Sequence, residues 1–132
     1  MPTPCDKNRL LIVDDETSIV RLFKVILSSA LPETSIDTAF NGREAVENFE
    51  NGRHGTLLMD LHMPVMDGRE AFETIQNLCR EKDWVMPSVV FCTGFAPPDW
   101  VRTALHANTS HQLLNKPVTG TVLVETIRKS LA

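Results

Sequence analysis

Strand-like and helix-like segments alternate five times along this chain, and that alternation constrains its fold more than any other feature. Four apolar runs, Leu10–Val13, Leu57–Met59, Val89–Cys92 and Leu113–Leu114, are short and continuous. That is the pattern of strands buried on both faces beneath covering helices. A fifth stretch, Ser35–Phe40, alternates instead, with Ile36, Thr38 and Phe40 on one side, as an edge strand would. Between the strands, Ile19, Leu22, Phe23, Ile26, Leu27 and Ala30 fall at helical spacing, and Leu31-Pro32 ends the stripe. Asn41 followed by Glu44 predicts a capping box and a second helix. A third helix is expected after Gly68, with Ala71, Phe72, Ile75, Leu78 and Cys79 inward. A fourth begins near Pro98 and carries Val101, Ala104 and Leu105; the last runs from about Thr119, burying Leu123, Ile127 and Leu131. The strings Asn41–Glu47 and Asp67–Glu73 nearly repeat each other, as expected if each is a turn glycine leading into a helix with an acid in its first turn. Repeated strand–helix alternation means a parallel sheet with right-handed crossovers, an α/β domain.

A chain of 132 residues is one domain's worth of protein, and nothing Pro/Gly-rich or of low complexity divides it. The expected organisation is a short tail over residues 1–8 and one domain over 9–132. At 42% hydrophobic and 23% charged residues, composition excludes disordered and collagenous classes. No apolar run approaches the ~20 residues that span a bilayer, and Met1-Pro2-Thr3-Pro4 does not begin a signal peptide. A net charge of −4 argues against nucleic acid or an anionic membrane as partner. Cys5, Cys79 and Cys92 form no CxxC pair and are odd in number, which disfavours a disulfide framework or structural zinc and fits a reducing cytoplasm.

Open α/β sheets bind ligands at the carboxyl ends of their strands. Here the first strand ends in Asp14-Asp15-Glu16, the third in Asp60, the fourth in Thr93 and the fifth in Asn115-Lys116-Pro117. Each has a plainer explanation alone: a solvated acidic pair, an ordinary strand end, a hydroxyl turn, a surface lysine. Their arrival together at equivalent strand ends marks one site, provided the second strand lies at the sheet edge. Clustered carboxylates repel, so they raise one another's pKa or recruit a cation. Hard oxygen ligands with access to water suit Mg²⁺. Three carboxylates, one ammonium and one Mg²⁺ are neutral together and can receive a phosphoryl dianion. A carboxylate there is a nucleophile toward phosphorus, with the Thr93 hydroxyl and Lys116 ammonium as donors to phosphoryl oxygens.

Together, Leu10-Leu-Ile-Val-Asp14-Asp15-Glu16, the stretch Leu57-Leu-Met-Asp60-Leu-His-Met-Pro64-Val-Met-Asp67-Gly68, Thr93-Gly94 and Asn115-Lys116-Pro117 resemble the receiver domain of two-component response regulators. The resemblance spans about Arg9 to Leu131. It implies a flavodoxin-like, doubly wound sheet of order 2-1-3-4-5 with five helices. It implies that Asp60 accepts a phosphoryl group from a phosphohistidine on a sensor histidine kinase or histidine phosphotransfer protein. Asp15, Asp60 and the backbone carbonyl of His62 would ligate Mg²⁺, with Asp14 acting through water. Lys116 and Thr93 would bind the phosphoryl oxygens, with Gly94 and Phe95 beside them, and a cis Lys116–Pro117 bond would aim the lysine. The side chain of His62 is not implied as a ligand; His54, His106 and His111 read as surface or strand-edge residues.

Two positions depart from the family pattern. Leu113 stands where many members carry Tyr or Phe, so a switch through an aromatic rotamer is not expected, and the signal would travel through the fourth helix and fifth strand. Val118 replaces the common Phe, which removes support for a dimer through the last two helices and fifth strand. Bulky His62 and Phe95 beside the acceptor would slow hydrolysis by limiting water. The expected role is a switch rather than an enzyme, its chemistry confined to its own Asp60. A small-molecule phosphatase of the haloacid-dehalogenase type would need an Asp where His62 stands, and no glycine-rich nucleotide loop is present. A receiver-like module that binds partners without phosphorylation remains as the alternative. Because the chain ends just after the last helix, the expectation is a stand-alone regulator or a receiver from a larger protein.

Overall fold

The computed structural model describes residues 2–63 and 65–131. Five strands, β1 (Asp6–Val13), β2 (Ser35–Ala39), β3 (His54–Asp60), β4 (Ser88–Thr93) and β5 (Gln112–Asn115), form one parallel sheet in the order β2-β1-β3-β4-β5. The helices are α1 (Thr17–Ala30), α2 (Gly42–Gly52), α3 (Gly68–Lys82), α4 (Asp99–Ala107) and α5 (Gly120–Leu131). This is the parallel α/β sheet expected from the alternation, in the doubly wound, flavodoxin-like order that the resemblance implied.

The continuous apolar runs follow from the pleat, because alternate residues of a strand enter opposite faces and both are covered. Leu11, Val13, Leu57, Met59, Val89 and Phe91 pack under α2, α3 and α4, around Phe49, Phe72 and Ile75. Leu10, Ile12, Leu58, Val90, Cys92 and Leu114 pack under α1 and α5, around Phe23, Leu27, Leu123 and Ile127. Two separate cores thus fix the sheet from both sides.

Helix starts match the sequence with one refinement. Asn41 Oδ1 accepts from the Glu44 N–H at 2.9 Å, but the Glu44 carboxylate returns to the Phe40 N–H (3.3 Å) and the Asn41 side-chain amide (3.2 Å) instead of the cap's own N–H. Asp67 caps α3 the same way, accepting from the Glu70 N–H at 2.9 Å. The glycines of the repeated strings are not left-handed turn residues. Gly42 is required because an added Cβ would meet Met66 O at 2.3 Å, and Gly68 because one would meet Asp60 O at 2.8 Å. Close backbone approach, not positive φ, explains the repeat.

Three expectations are corrected. Residues Asp6–Asn8, assigned to a tail, extend β1, with the Asp6 N–H donating to Arg53 O at 2.8 Å, and Thr3 bridges to Trp84. Phe40 does not share an inward face with Ile36: β2 ends at buried Ala39 and Phe40 is exposed, because α2 begins immediately after it. His54 and His111 are not surface residues. His54 is fully buried at the start of β3, its Nε2 2.7 Å from Asp37 Oδ2, and His111 is buried with Nδ1 accepting from the Val89 N–H at 3.0 Å. Each ring has a partner from another strand, and that partner makes burial tolerable. His106 is exposed. Among the described residues, no helix is long and apolar enough to cross a membrane.

Candidate functional site

Each site residue sits where its strand stops. Val13 is level with Met59, so Asp14 follows at the level of Asp60 and Cys92; Thr93 is one residue further, level with Asn115, and Lys116 comes next. Because β2 is at the edge, β1, β3, β4 and β5 are contiguous and their polar ends converge. Carboxylate oxygens of Asp14, Asp15 and Asp60 lie within 4.8 Å of one another. Asp14 and Asp60 are buried while Asp15 is exposed.

Lys116 Nζ lies 3.0 Å from Asp14 Oδ2 and 3.6 Å from Asp60 Oδ1. One ammonium therefore serves two buried carboxylates. Burial, and then the charge of Asp14, push the Asp60 carboxyl above the usual carboxylate range, and Lys116 only partly offsets them. Burial opposes the charge on Lys116, but its hydrogen bond to Asp14 and the two carboxylates hold its pKa above the ordinary value. The other Asp14 oxygen accepts from the Glu16 N–H at 3.0 Å, and Asp60 Oδ1 accepts a long bond from the His62 N–H at 3.4 Å. Among the described residues nothing donates to Asp60 Oδ2, which leaves that oxygen's lone pairs unengaged.

Thr93 is fully buried, and its hydroxyl oxygen accepts from the Phe95 N–H at 3.1 Å, leaving the O–H free to donate. Its carbonyl accepts from the Lys116 N–H at 2.8 Å, which ties β4 to the lysine, and the Lys116–Pro117 peptide is cis. His62 and Phe95 meet edge to face at 5.3 Å between ring centroids. Gly94 is exposed, with open space where a side chain would stand. Pro64, in the stretch Asp60–Gly68, lies outside the described residues. Its neighbour Val65 has φ of 67°, a costly conformation for a β-branched residue, in the loop that carries His62.

A cavity of about 470 Å³ opens beside the acid cluster, lined by Asp15, His62, Asp67, Arg69, Pro98 and Trp100 among others. Sequence reasoning singled out neither Arg69 nor Trp100. Arg69 appeared only as part of the repeated string, and Trp100 carried no motif, although it is the single aromatic residue within α4.

Residues 10–128 match the response regulator receiver domain family. The chain belongs to that family. Receiver domains act in phosphorelay signalling as phosphoacceptors, and family membership implies interaction with histidine kinases or phosphotransfer proteins. A protein-glutamate methylesterase/protein-glutamine glutaminase of Caldanaerobacter subterraneus subsp. tengcongensis is 40% identical over 72 residues, covering 54% of this chain and 20% of that protein. The aligned segment thus covers about 20% of the length of these curated relatives. A CheY-like receiver domain protein of Methanospirillum hungatei has TM-score 0.78 at 28% identity, over 94% of this chain and 93% of its own. The chemotaxis protein CheY4 of Vibrio cholerae shares the fold with TM-score 0.74 at 24% identity, over 92% and 97% of the two chains.

Proposed function

We propose that this receiver domain is a phosphoacceptor switch in which Asp60 takes the phosphoryl group of a phosphohistidine on a sensor histidine kinase or histidine phosphotransfer protein. The observation that carries the reading is the acid cluster itself: three carboxylates lie together, and one lysine serves the two buried ones. Such a donor set is short of positive charge and offers hard oxygens open to water, which fits Mg²⁺. Asp15, Asp60 and the His62 backbone carbonyl would hold the ion, with Asp14 acting through water. When bound, Mg²⁺ supplies the positive charge that lets a phosphoryl dianion approach the acids.

The protein's own groups perform the rest. The free Asp60 Oδ2 attacks phosphorus as the bond from phosphorus to the donor imidazole nitrogen breaks. Lys116, already 3.6 Å from Asp60, turns its ammonium to a phosphoryl oxygen, and the Thr93 O–H donates to another. Because the Thr93 oxygen holds the Phe95 N–H and its carbonyl holds the Lys116 N–H, a movement of Thr93 pulls on both the β4–α4 loop and the end of β5. The signal therefore passes through α4 and β5, and α4 is suited to respond: of its nine residues only Val101 and Ala104 are buried. With Leu113 on β5 this motion does not need an aromatic rotamer. Chemistry is confined to Asp60, so the domain is a switch and not an enzyme acting on other substrates. The output target is a protein, and the three unpaired cysteines support a reducing cytoplasm.

Intact mass after incubation with Mg²⁺ and acetyl phosphate tests this directly, beside Asp60→Asn. One phosphoryl mass gained by the wild type alone, and abolished by EDTA, is the expected result. No gain from either acetyl phosphate or a phosphohistidine donor, with both proteins folded, defeats the reading in favour of a phosphorylation-independent binding module.

A further inference from the structure

A second cavity, of about 300 Å³, lies between α3 and the last turn of α4, lined in part by Phe72, Trp84, Met86, Arg80, Asn108 and His111. The rings of Phe72, Phe91 and Trp100 stand between it and the acceptor-side cavity, with centroid separations of 5.2–5.8 Å. Its walls are apolar and aromatic: Phe72 meets His111 edge to face, and the Trp84 ring is held by the Arg53 guanidinium stacked 3.7 Å from its centroid.

Besides Gln76, whose amide can donate or accept, the polar side chains that open on it present donors. His111 takes the Val89 N–H on Nδ1, so that nitrogen carries no proton. Burial pushes the ring's pKa down to about 4, so the imidazole is neutral at pH 7 and its proton sits on Nε2. The residue is only 6% exposed, yet among the described residues Nε2 has no partner and is not sealed from solvent. Its N–H therefore points into the cavity that the ring lines. Asn108 Oδ1 is already engaged by the Ser110 N–H (3.0 Å) and O–H (2.7 Å), which leaves its NH₂ group. Arg80 makes one long bond, 3.3 Å to Asn77 Oδ1, and among the described lining residues it is the one formal charge, in no ion pair with a described residue.

We infer that this cavity is a binding site for a small planar aromatic carboxylate, its ring between Phe72 and Trp84 and its carboxylate received by Arg80, Asn108 and the His111 Nε2–H. An apolar slot with a few convergent donors is the usual form of a ligand site, and this volume holds one or two fused rings. A neutral aromatic would leave the arginine and the buried N–H unanswered. The inference does not rest on phosphorylation at Asp60.

The test titrates 2-naphthoate and its neutral amide, 2-naphthamide, into the intact protein, read by calorimetry and by backbone amide shifts. The expected result is saturable one-to-one binding of the acid, with shifts centred on Arg80, Trp84, Asn108 and His111, and affinity for the amide at least about tenfold weaker. Arg80→Gln weakens the acid about fivefold or more and leaves the amide unchanged. Ala107→Trp fills the cavity and abolishes both. Arg80 and Ala107 are exposed, so neither variant endangers the fold. No saturable binding, equal affinity for acid and amide, insensitivity to Arg80→Gln, or shifts centred on Asp15, Arg69 and Trp100 would each overturn the inference.

Discussion

The two ends of the sheet bury ionisable groups in opposite ways. At the amino end, Asp37 on β2 receives Arg9 of β1 at 2.6 Å and His54 of β3 at 2.7 Å on one oxygen, and Arg9 also donates to Gly52 O at 2.9 Å. The hydrogen bond from His54, with that from Arg9, holds the Asp37 carboxyl below its usual range, while burial pushes the His54 pKa down. That group pins three adjacent strands together with its charge matched. At the carboxyl end, Asp14 and Asp60 are buried over one lysine, and Asp60 is pushed up rather than down. A half-buried cluster with its charge matched serves structure; a buried cluster left short of charge is suited to receive whatever completes it.

The sharpest break of this comparison is Asp60→Asn, which should abolish phosphoryl uptake while making the protein more stable. The sign follows from the raised pKa: a carboxyl raised on folding contributes stability below its unfolded pKa and loses it as pH rises through the folded value. At pH 7 the ionised Asp60 therefore opposes folding, and Asn should gain about 1 kcal/mol in urea unfolding. The gain should vanish near pH 3, and a less stable Asn variant at pH 7 would remove the charge-surplus account of the site.

Next in size is the acid limb of the stability curve. His111, held neutral with a pKa of about 4, contributes stability that is complete above the unfolded histidine value of about 6.5 and is lost as pH falls through about 4. His54 is depressed in the same direction, also by burial. Wild-type stability should fall by up to about 3 kcal/mol from this source between those pH values. His111→Phe should be less stable at pH 7, because the Val89 N–H loses its acceptor, but should show a flatter slope; an unchanged slope refutes the assignment.

The amino-end cluster should behave as structure alone. Asp37→Ala leaves the buried His54 N–H without an acceptor and Arg9 without its ion pair, and should cost about 2 kcal/mol. Phosphoryl uptake at 20 °C should be untouched so long as the variant is folded. Loss of uptake in the folded variant would mean that the two ends of the sheet are coupled.

These two ends also differed in how plainly the chain announced them. The acceptor edge could be read residue by residue, because each functional side chain interrupts an apolar run at its end, where the α/β arrangement places ligands. Buried His54 and His111 could not. Each is a lone histidine in apolar surroundings, and its partner is distant: Asp37 is 17 positions from His54, and the Val89 N–H is 22 from His111. No spacing rule reaches across strands. The extension of β1 to Asp6 was equally hidden, since Asp6-Lys7-Asn8 is polar and exposed and its pairing comes from the backbone. Phe40 misled because periodicity cannot tell the last residue of a strand from the first residue after it. Conversely, the glycines of the repeated strings were rightly singled out, but only the neighbouring carbonyls of Met66 and Asp60 show that the constraint is space.

The smallest effect concerns the mouth of the acceptor site, where the comparison can be sharpened. Phe95 is 70% exposed, an apolar ring that stability does not require there, and its edge-to-face contact with His62 joins the β4–α4 loop to the β3–α3 loop. If the two rings together restrict the approach of water to a phosphoryl group on Asp60, His62→Asn and Phe95→Ala should each shorten its lifetime by about two- to fivefold, below about 1 kcal/mol of barrier. If the rings act as one lid, removing either opens it, and the double variant should decay little faster than the singles. Decay of the labelled protein in Mg²⁺ buffer measures this. Unchanged lifetimes would show that water reaches Asp60 by another side, and fully multiplicative effects would show two independent obstacles instead of a shared one.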